Sequence, residues 1–179
     1  MARVLQLPMP QDQVPPAVAG VGADLARTAS GEELAARICC WTHSEIEYGY
    51  GATTVRTPAA EAAAGGRGVC QDFAHVMIAV LRSAGIPARY VSGYILSGDS
   101  NVLGAEASHA WCEAYLPPSG WVGFDPTNDL IINDHFVKVA IGRDYRDVSP
   151  VRGVYRGSRH AEMSVNVAMD VLASAQQQQ

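Results

Sequence analysis

From Ser30 onward the chain passes through stretches of helical periodicity and then of strand-forming residues. The run SGEELAARICCWTHSEIEY sets Leu34, Ile38 and Trp41 three and four residues apart, behind a serine with Glu33 three positions on, the pattern of a capped amphipathic helix. Tyr48-Gly49-Tyr50-Gly51 closes it, residues 57–64 offer a short alanine-rich helix after Pro58, and Gly65-Gly66-Arg67-Gly68 forms a turn. The next run, VCQDFAHVMIAVLRSA (69–84), is apolar on most of its faces, with Phe73, Val76, Met77, Val80 and Leu81 at helical spacing, which predicts a central, buried helix. Gly85 and Pro87 stop it. Beyond this point the residues become those of strands, over 88–96, 108–116, 121–124, 135–141 and 160–172, each rich in β-branched and aromatic residues and bounded by Gly, Pro, Asn or Asp. Helices first and an antiparallel sheet afterwards is the order of an α+β fold, not of a doubly wound one.

Residues 1–29 are rich in Pro, Ala, Gly and Val with little periodicity, and the pair Pro15-Pro16 argues against a helix there. They read as an arm or linker. Residues 30–172 read as one domain, and 173–179, ending in four glutamines, as a disordered tail. A chain of 179 residues, 48% apolar, has the material for one continuous core. Its net charge of −5 and pI near 5.4 oppose the phosphate attraction that nucleic-acid binding depends on. No stretch has the length of a signal peptide core or a membrane span, so the reading is cytoplasmic, without a membrane or nucleic-acid partner. The cysteines, Cys39, Cys40, Cys70 and Cys112, lack the two-residue spacing of a metal knuckle or redox pair, so no metal is expected. Reduced thiols are the default for such a chain, either packing or reactive.

Cys70 stands at the start of the central helix, where unpaired N–H groups and the positive end of the dipole favour a thiolate. Gly65, Gly66 and Gly68 leave its front uncrowded, and its own N–H is placed to meet an oxyanion. A cysteine at such a place also serves as plain core, so the reading depends on its partners. His109, in SHAW, begins one strand, and Asp125, in GWVGFDPT, ends the next, with the turn Pro117-Pro118-Ser119-Gly120 between. In matching register the carboxylate would accept the Nδ1 proton of His109 and leave Nε2 to the thiol.

The segments GVCQDFAHVMIAVLRSAGIPARYVSGY (68–94) and SHAWCEAYLPPSGWVGFDPTND (108–129) resemble the core of the transglutaminase-like superfamily, in its bacterial cysteine-protease branch, and AIGRDYRDVSPVRGVYRG (140–157) resembles that branch too. The resemblance covers roughly 30–172. It implies a papain-like α+β catalytic domain whose nucleophile helix packs on an antiparallel sheet, with a Cys, His, Asp triad at Cys70, His109 and Asp125. Relatives in that branch carry a further β-rich region upstream, so the resemblance implies a substrate cleft that these residues would line only in part. Papain-like enzymes place a glutamine ahead of the nucleophile, where this chain has Ala62, Ala63 and Ala64. The second oxyanion donor is therefore sought among Tyr50, Tyr48 and Trp41, with Tyr50 preferred for its glycine neighbours, and Gln71 is a candidate for the cleft wall.

Asp72 suits a helix start through the dipole alone, and His75 reads as an interior histidine, not a second base. Arg143, Asp144, Arg146 and Asp147 read as an ion-pair network or turn, with Arg143 or Tyr145 able to line the substrate site. Cys39, Cys40 and Cys112 read as packing residues. The expected activity is a thiol hydrolase or acyl transferase acting on a peptide, protein or small amide through a thioester, without cofactor. A silent peptide-binding module and a transglutaminase with an amine acceptor are the rivals. Specificity is expected from the loops 97–107 and 128–134.

Overall fold

The computed structural model describes residues 16–96, 103, 108–150, 153, 156–157 and 167–169. It divides the chain into Met1–Ser149 and Pro150–Gln179. In the second unit the few described residues form neither helix nor strand, and most of the strand expected over 160–172 lies outside the described residues.

The first unit is assembled around one helix. Helix α4 (Cys70–Ser83) has every residue from Gln71 to Leu81 buried. It is apolar nearly all round because α1 (Pro16–Leu25), α2 (Gly31–Glu45) and α3 (Ala59–Gly65) pack on some of its faces while the sheet covers others. Helix α1 corrects the expectation of an arm or linker without a helix. Pro16 occupies the first helical position, where its missing N–H is no loss and its fixed φ is already helical. Val18, Val21 and Leu25 then pack on the main core. Small residues bring α1 close to α4: a Cβ on Gly22 would lie 2.6 Å from the carbonyl oxygen of Val80. In α2, Leu34, Ala35, Ile38, Cys39 and Thr42 face inward. Ser30 is the N-cap residue, but its side chain makes no cap hydrogen bond, and Glu33 pairs with Arg37 at 2.8 Å instead of closing a capping box.

The sheet is antiparallel in the order β6-β5-β4-β3-β7, with β3 (Ala88–Ile95), β4 (His109–Leu116), β5 (Gly120–Asp125), β6 (Leu130–Ile131) and β7 (Phe136–Gly142). The main core takes in Tyr90, Ala110, Cys112, Ala114 and Phe124 from the sheet and Ala74, Met77, Ile78 and Leu81 from α4. Alternation along β4 then sets His109, Trp111 and Glu113 on the other face. There the nearly buried Glu113 accepts from Arg89 Nε of β3 at 2.6 Å and pairs with Lys138 of β7, while the Arg89 guanidinium lies 4.0 Å from the ring centre of Trp121 on β5. Two short strands were not legible beforehand. In these, β1 (Glu47–Tyr48) pairs in parallel with β2 (Arg67–Gly68), Tyr48 opposite Gly68.

Among the described residues no helix is long and apolar enough to cross a membrane, and no group of His, Cys, Asp and Glu is arranged to hold a metal ion.

Candidate active site

Three elements meet at the site. Cys70 is the first residue of α4 and is half-buried. The carbonyl oxygen of Val69 accepts from Asp72 N–H and Phe73 N–H at 2.8 and 3.3 Å, closing the first turn, and the Asp72 carboxylate accepts from Val69 N–H at 2.8 Å and from the Thr53 hydroxyl. Asp72 is thus more than a charge favourable to the dipole. It ties the peptide just before Cys70 to the 53 loop, and burial raises its carboxyl above the usual range against those two hydrogen bonds. The approach to Cys70 is fixed from the other side by Gly49 N–H, which donates to Gly68 O at 2.9 Å.

His109 opens β4 and Asp125 closes β5. The register, Cys112 opposite Phe124, sets them as diagonal neighbours on one face, within reach of long side chains. His109 Nε2 donates to Asp125 Oδ2 at 2.9 Å, with both side chains fully buried. The sequence expectation had the ring the other way round. The carboxylate arrives from the neighbouring strand and meets the far nitrogen, so Nδ1, buried and without a nitrogen or oxygen partner among the described residues, is the atom left for the thiol. Burial alone pulls His109 down, but the hydrogen bond and charge of Asp125 and the adjacent Cys70 thiol outweigh it, raising its pKa from 6.5 to about 9. Trp111 lies at 26° to the ring plane with centres 6.3 Å apart, and Phe136 leans on it at 6.2 Å, which keeps water from the imidazole–carboxylate pair.

Asp125 is held further. Its Oδ1 accepts from Thr127 N–H at 2.9 Å and its Oδ2 from Asn128 Nδ2 at 2.7 Å. Asn128 was not singled out in the sequence. The run DPTN, turn-forming residues directly after the candidate carboxylate, was the signal available.

The remaining candidates are distributed unevenly. Tyr48 is anchored by the β1–β2 pairing beside Gly68, and its ring sits 6.4 Å from that of Phe73. Tyr50, preferred from sequence, is 77% exposed and meets the edge of Tyr48 at 5.7 Å. Trp41 is half-buried and packs on both apolar clusters, and Cys70 packs on the larger of them. Gln71 is buried. His75 is an interior histidine: Nε2 accepts from Tyr145 N–H at 3.2 Å, the ring packs on Tyr90 at 5.0 Å, and burial lowers its pKa to about 4. The charged cluster builds α5 (Tyr145–Val148), with Asp144 capping it and pairing with Arg146, and Arg143 held to Asp147. Cys39 and Cys112 are buried, but Cys40 is exposed and so is not a packing residue. One position round α2 from Cys39, it points away from the core. Of the expected loops, 97–107 lies outside the described residues except Leu103, and 128–134 contains β6.

A family model described as the transglutaminase-like superfamily matches residues 20–126. An uncharacterized protein of Mycobacterium leprae is 40% identical over 159 residues, covering 87% of this chain and 56% of its own length. A solved structure from Cytophaga hutchinsonii, assigned provisionally as a cysteine protease, superposes with a TM-score of 0.68 at 30% identity, over 83% of this chain and 49% of that one. The periplasmic domain of TgpA from Pseudomonas aeruginosa gives a TM-score of 0.51 at 31% identity, over 71% of this chain and 46% of that one. A protein-glutamine gamma-glutamyltransferase of the same species is 44% identical over 66 residues, 34% of this chain and 10% of its own length. The chain thus spans about half the length of the first two relatives.

Proposed function

Because this chain belongs to the transglutaminase-like superfamily, we propose that it is a thiol-dependent acyl-transfer enzyme that hydrolyses amide or peptide bonds, with Cys70 as nucleophile, His109 as acid and base, and Asp125 holding the imidazole. The observation that carries this reading is the buried His109, bound through Nε2 to Asp125 and raised to about 9 by that carboxylate and the Cys70 thiol against the pull of burial. An imidazole so placed takes the thiol proton on Nδ1, forming a thiolate–imidazolium pair.

The sulfur then bonds to the substrate carbonyl carbon, and the oxyanion is met by the Cys70 N–H at the open end of α4. Collapse breaks the C–N bond, and the amine leaves with the Nδ1 proton. Water attacks the thioester and returns a proton to Nδ1. The C–S bond then breaks and the pair is restored. Tyr48, held beside the approach strand, is the aromatic residue best placed to add a second donor. Transfer to an amine instead of water is the second reading, favoured by the match to a protein named as a glutamyltransferase.

The test is intact-mass and peptide mass spectrometry after exposure to a p-nitrophenyl ester. A burst of p-nitrophenol with one acyl group on Cys70, abolished by Cys70→Ser in a folded variant, is expected. Partition of that acyl group toward added amine would favour the second reading. Absence of an acyl group on Cys70, with labelling confined to other residues, would refute both readings and favour a peptide-binding module.

A further inference from the structure

We infer that Asn128 is a positioning residue that fixes the Asp125 carboxylate against His109, an inference that rests on the triad just proposed. Asp125 is the last residue of β5 and pairs with Leu130 of the short β6. That pairing fixes its backbone but leaves the carboxylate rotor to side-chain partners. Thr127 N–H holds Oδ1 at 2.9 Å, while Oδ2, the atom that receives His109 Nε2, receives Asn128 Nδ2 at 2.7 Å as well.

The Asn128 amide is itself set by Leu103. Its Oδ1 accepts from Leu103 N–H at 2.8 Å and its Nδ2 donates to Leu103 O at 3.2 Å. This two-point grip decides which end of the amide is oxygen, because only the oxygen can accept from Leu103 N–H. One Nδ2 proton goes to Leu103 and the other is aimed at Asp125.

A residue serving only the turn would need none of this. Its N–H donates to Asp125 O at 3.3 Å, and aspartate would fill that role as well as asparagine. What aspartate cannot do when ionised is donate. At position 128 it would also set a second negative charge beside the catalytic carboxylate, where asparagine gives a neutral donor.

The test uses the full chain with 15N-labelled histidine, read by NMR without substrate. In the wild type the His109 Nε2–H signal persists and the ring titrates well above ordinary histidine. Asn128→Ala lets the carboxylate turn away, so the midpoint falls by one pH unit or more and the Nε2–H signal is lost to exchange. Asn128→Asp keeps the shape of the turn but not the donor, so it too loses the Nε2–H signal to exchange, whatever its added charge does to the midpoint. A residue serving only the turn would leave that signal in place in the aspartate variant, because added charge alone does not free the carboxylate. An Nε2–H signal that persists in Asn128→Asp would overturn the inference, and that variant decides alone if the alanine protein does not fold. A wild type that fails to acylate Cys70 counts against the enzyme reading only, because the titration needs no turnover.

Discussion

Replacing Asp125 by asparagine changes one charge and almost no volume. Three donors converge on this carboxylate: His109 Nε2 and Asn128 Nδ2 on Oδ2, and Thr127 N–H on Oδ1. An amide has one oxygen, so whichever way it turns, its NH2 faces at least one of those donors. His109 also loses its counter-charge while remaining buried. In the native protein that carboxylate and the Cys70 thiol carry the ring from 6.5 to about 9 against burial; at about 1.4 kcal/mol for each pH unit, the bias toward imidazolium is roughly 3 kcal/mol. With the carboxylate gone, burial pulls the ring downward against the Cys70 thiol alone, so the bias toward imidazolium weakens.

Alkylation by iodoacetamide, followed site by site by mass spectrometry, reads the consequence directly. Exposed Cys40, whose thiol Asp129 pushes upward in pKa, serves as reference within the same molecule. Cys70 is expected to label faster than Cys40 at pH 6 in the wild type, and the ratio is expected to fall at least tenfold in Asp125→Asn. Equal labelling of the two thiols in the wild type, or a ratio indifferent to the substitution, would show that the imidazole does not act on the sulfur. The same proton also bears on stability. A group whose pKa is raised by folding stabilises fully below its unfolded value, so this contribution is complete below about pH 6.5 and lost as pH rises through about 9.

His75 has the opposite sign. Its pKa is lowered to about 4 by burial, so the fold is favoured above about 6.5 and loses up to roughly 3 kcal/mol as pH falls toward 4; urea titrations at pH 7 and 4.5 are expected to show the loss, and His75→Gln is expected to flatten it. Gly93→Ala is expected to destabilise by about 2 kcal/mol or more, because the added Cβ would lie 2.1 Å from Val137 O and 2.4 Å from the Trp111 ring that flanks His109; thermal unfolding that matches the wild type would contradict that packing.

The central helix α4 was legible because a helix buried on all sides is written as an almost unbroken apolar run, and four strands were legible through their β-branched and aromatic residues and their Gly or Pro boundaries. His109 and Asp125 followed from adjacent strands joined by a tight turn. What escaped depends on geometry that spacing does not encode. The ring nitrogen facing Asp125 is set by the diagonal placement of two side chains, not by sequence distance. Asn128 earns its place through Leu103, twenty-five residues away along the chain. The β1–β2 pairing joins two-residue strands, too short for any period to show. Helix α1 runs against the reading of Pro15-Pro16 as a barrier, because proline is well suited to begin a helix.

The charged trio on the sheet bears on how the site assembles. Glu113 lies four residues along β4 from His109 and so shares its side of the strand, gripped by cations from the two strands beyond it. A slip of β4 by a single residue would turn the imidazole away from the face it shares with Asp125 and in the same movement drive the Glu113 carboxylate, stripped of Arg89 and Lys138, into the apolar interior. A misaligned sheet that scrambles the site therefore carries its own electrostatic penalty, and folding proofreads the alignment long before any substrate arrives.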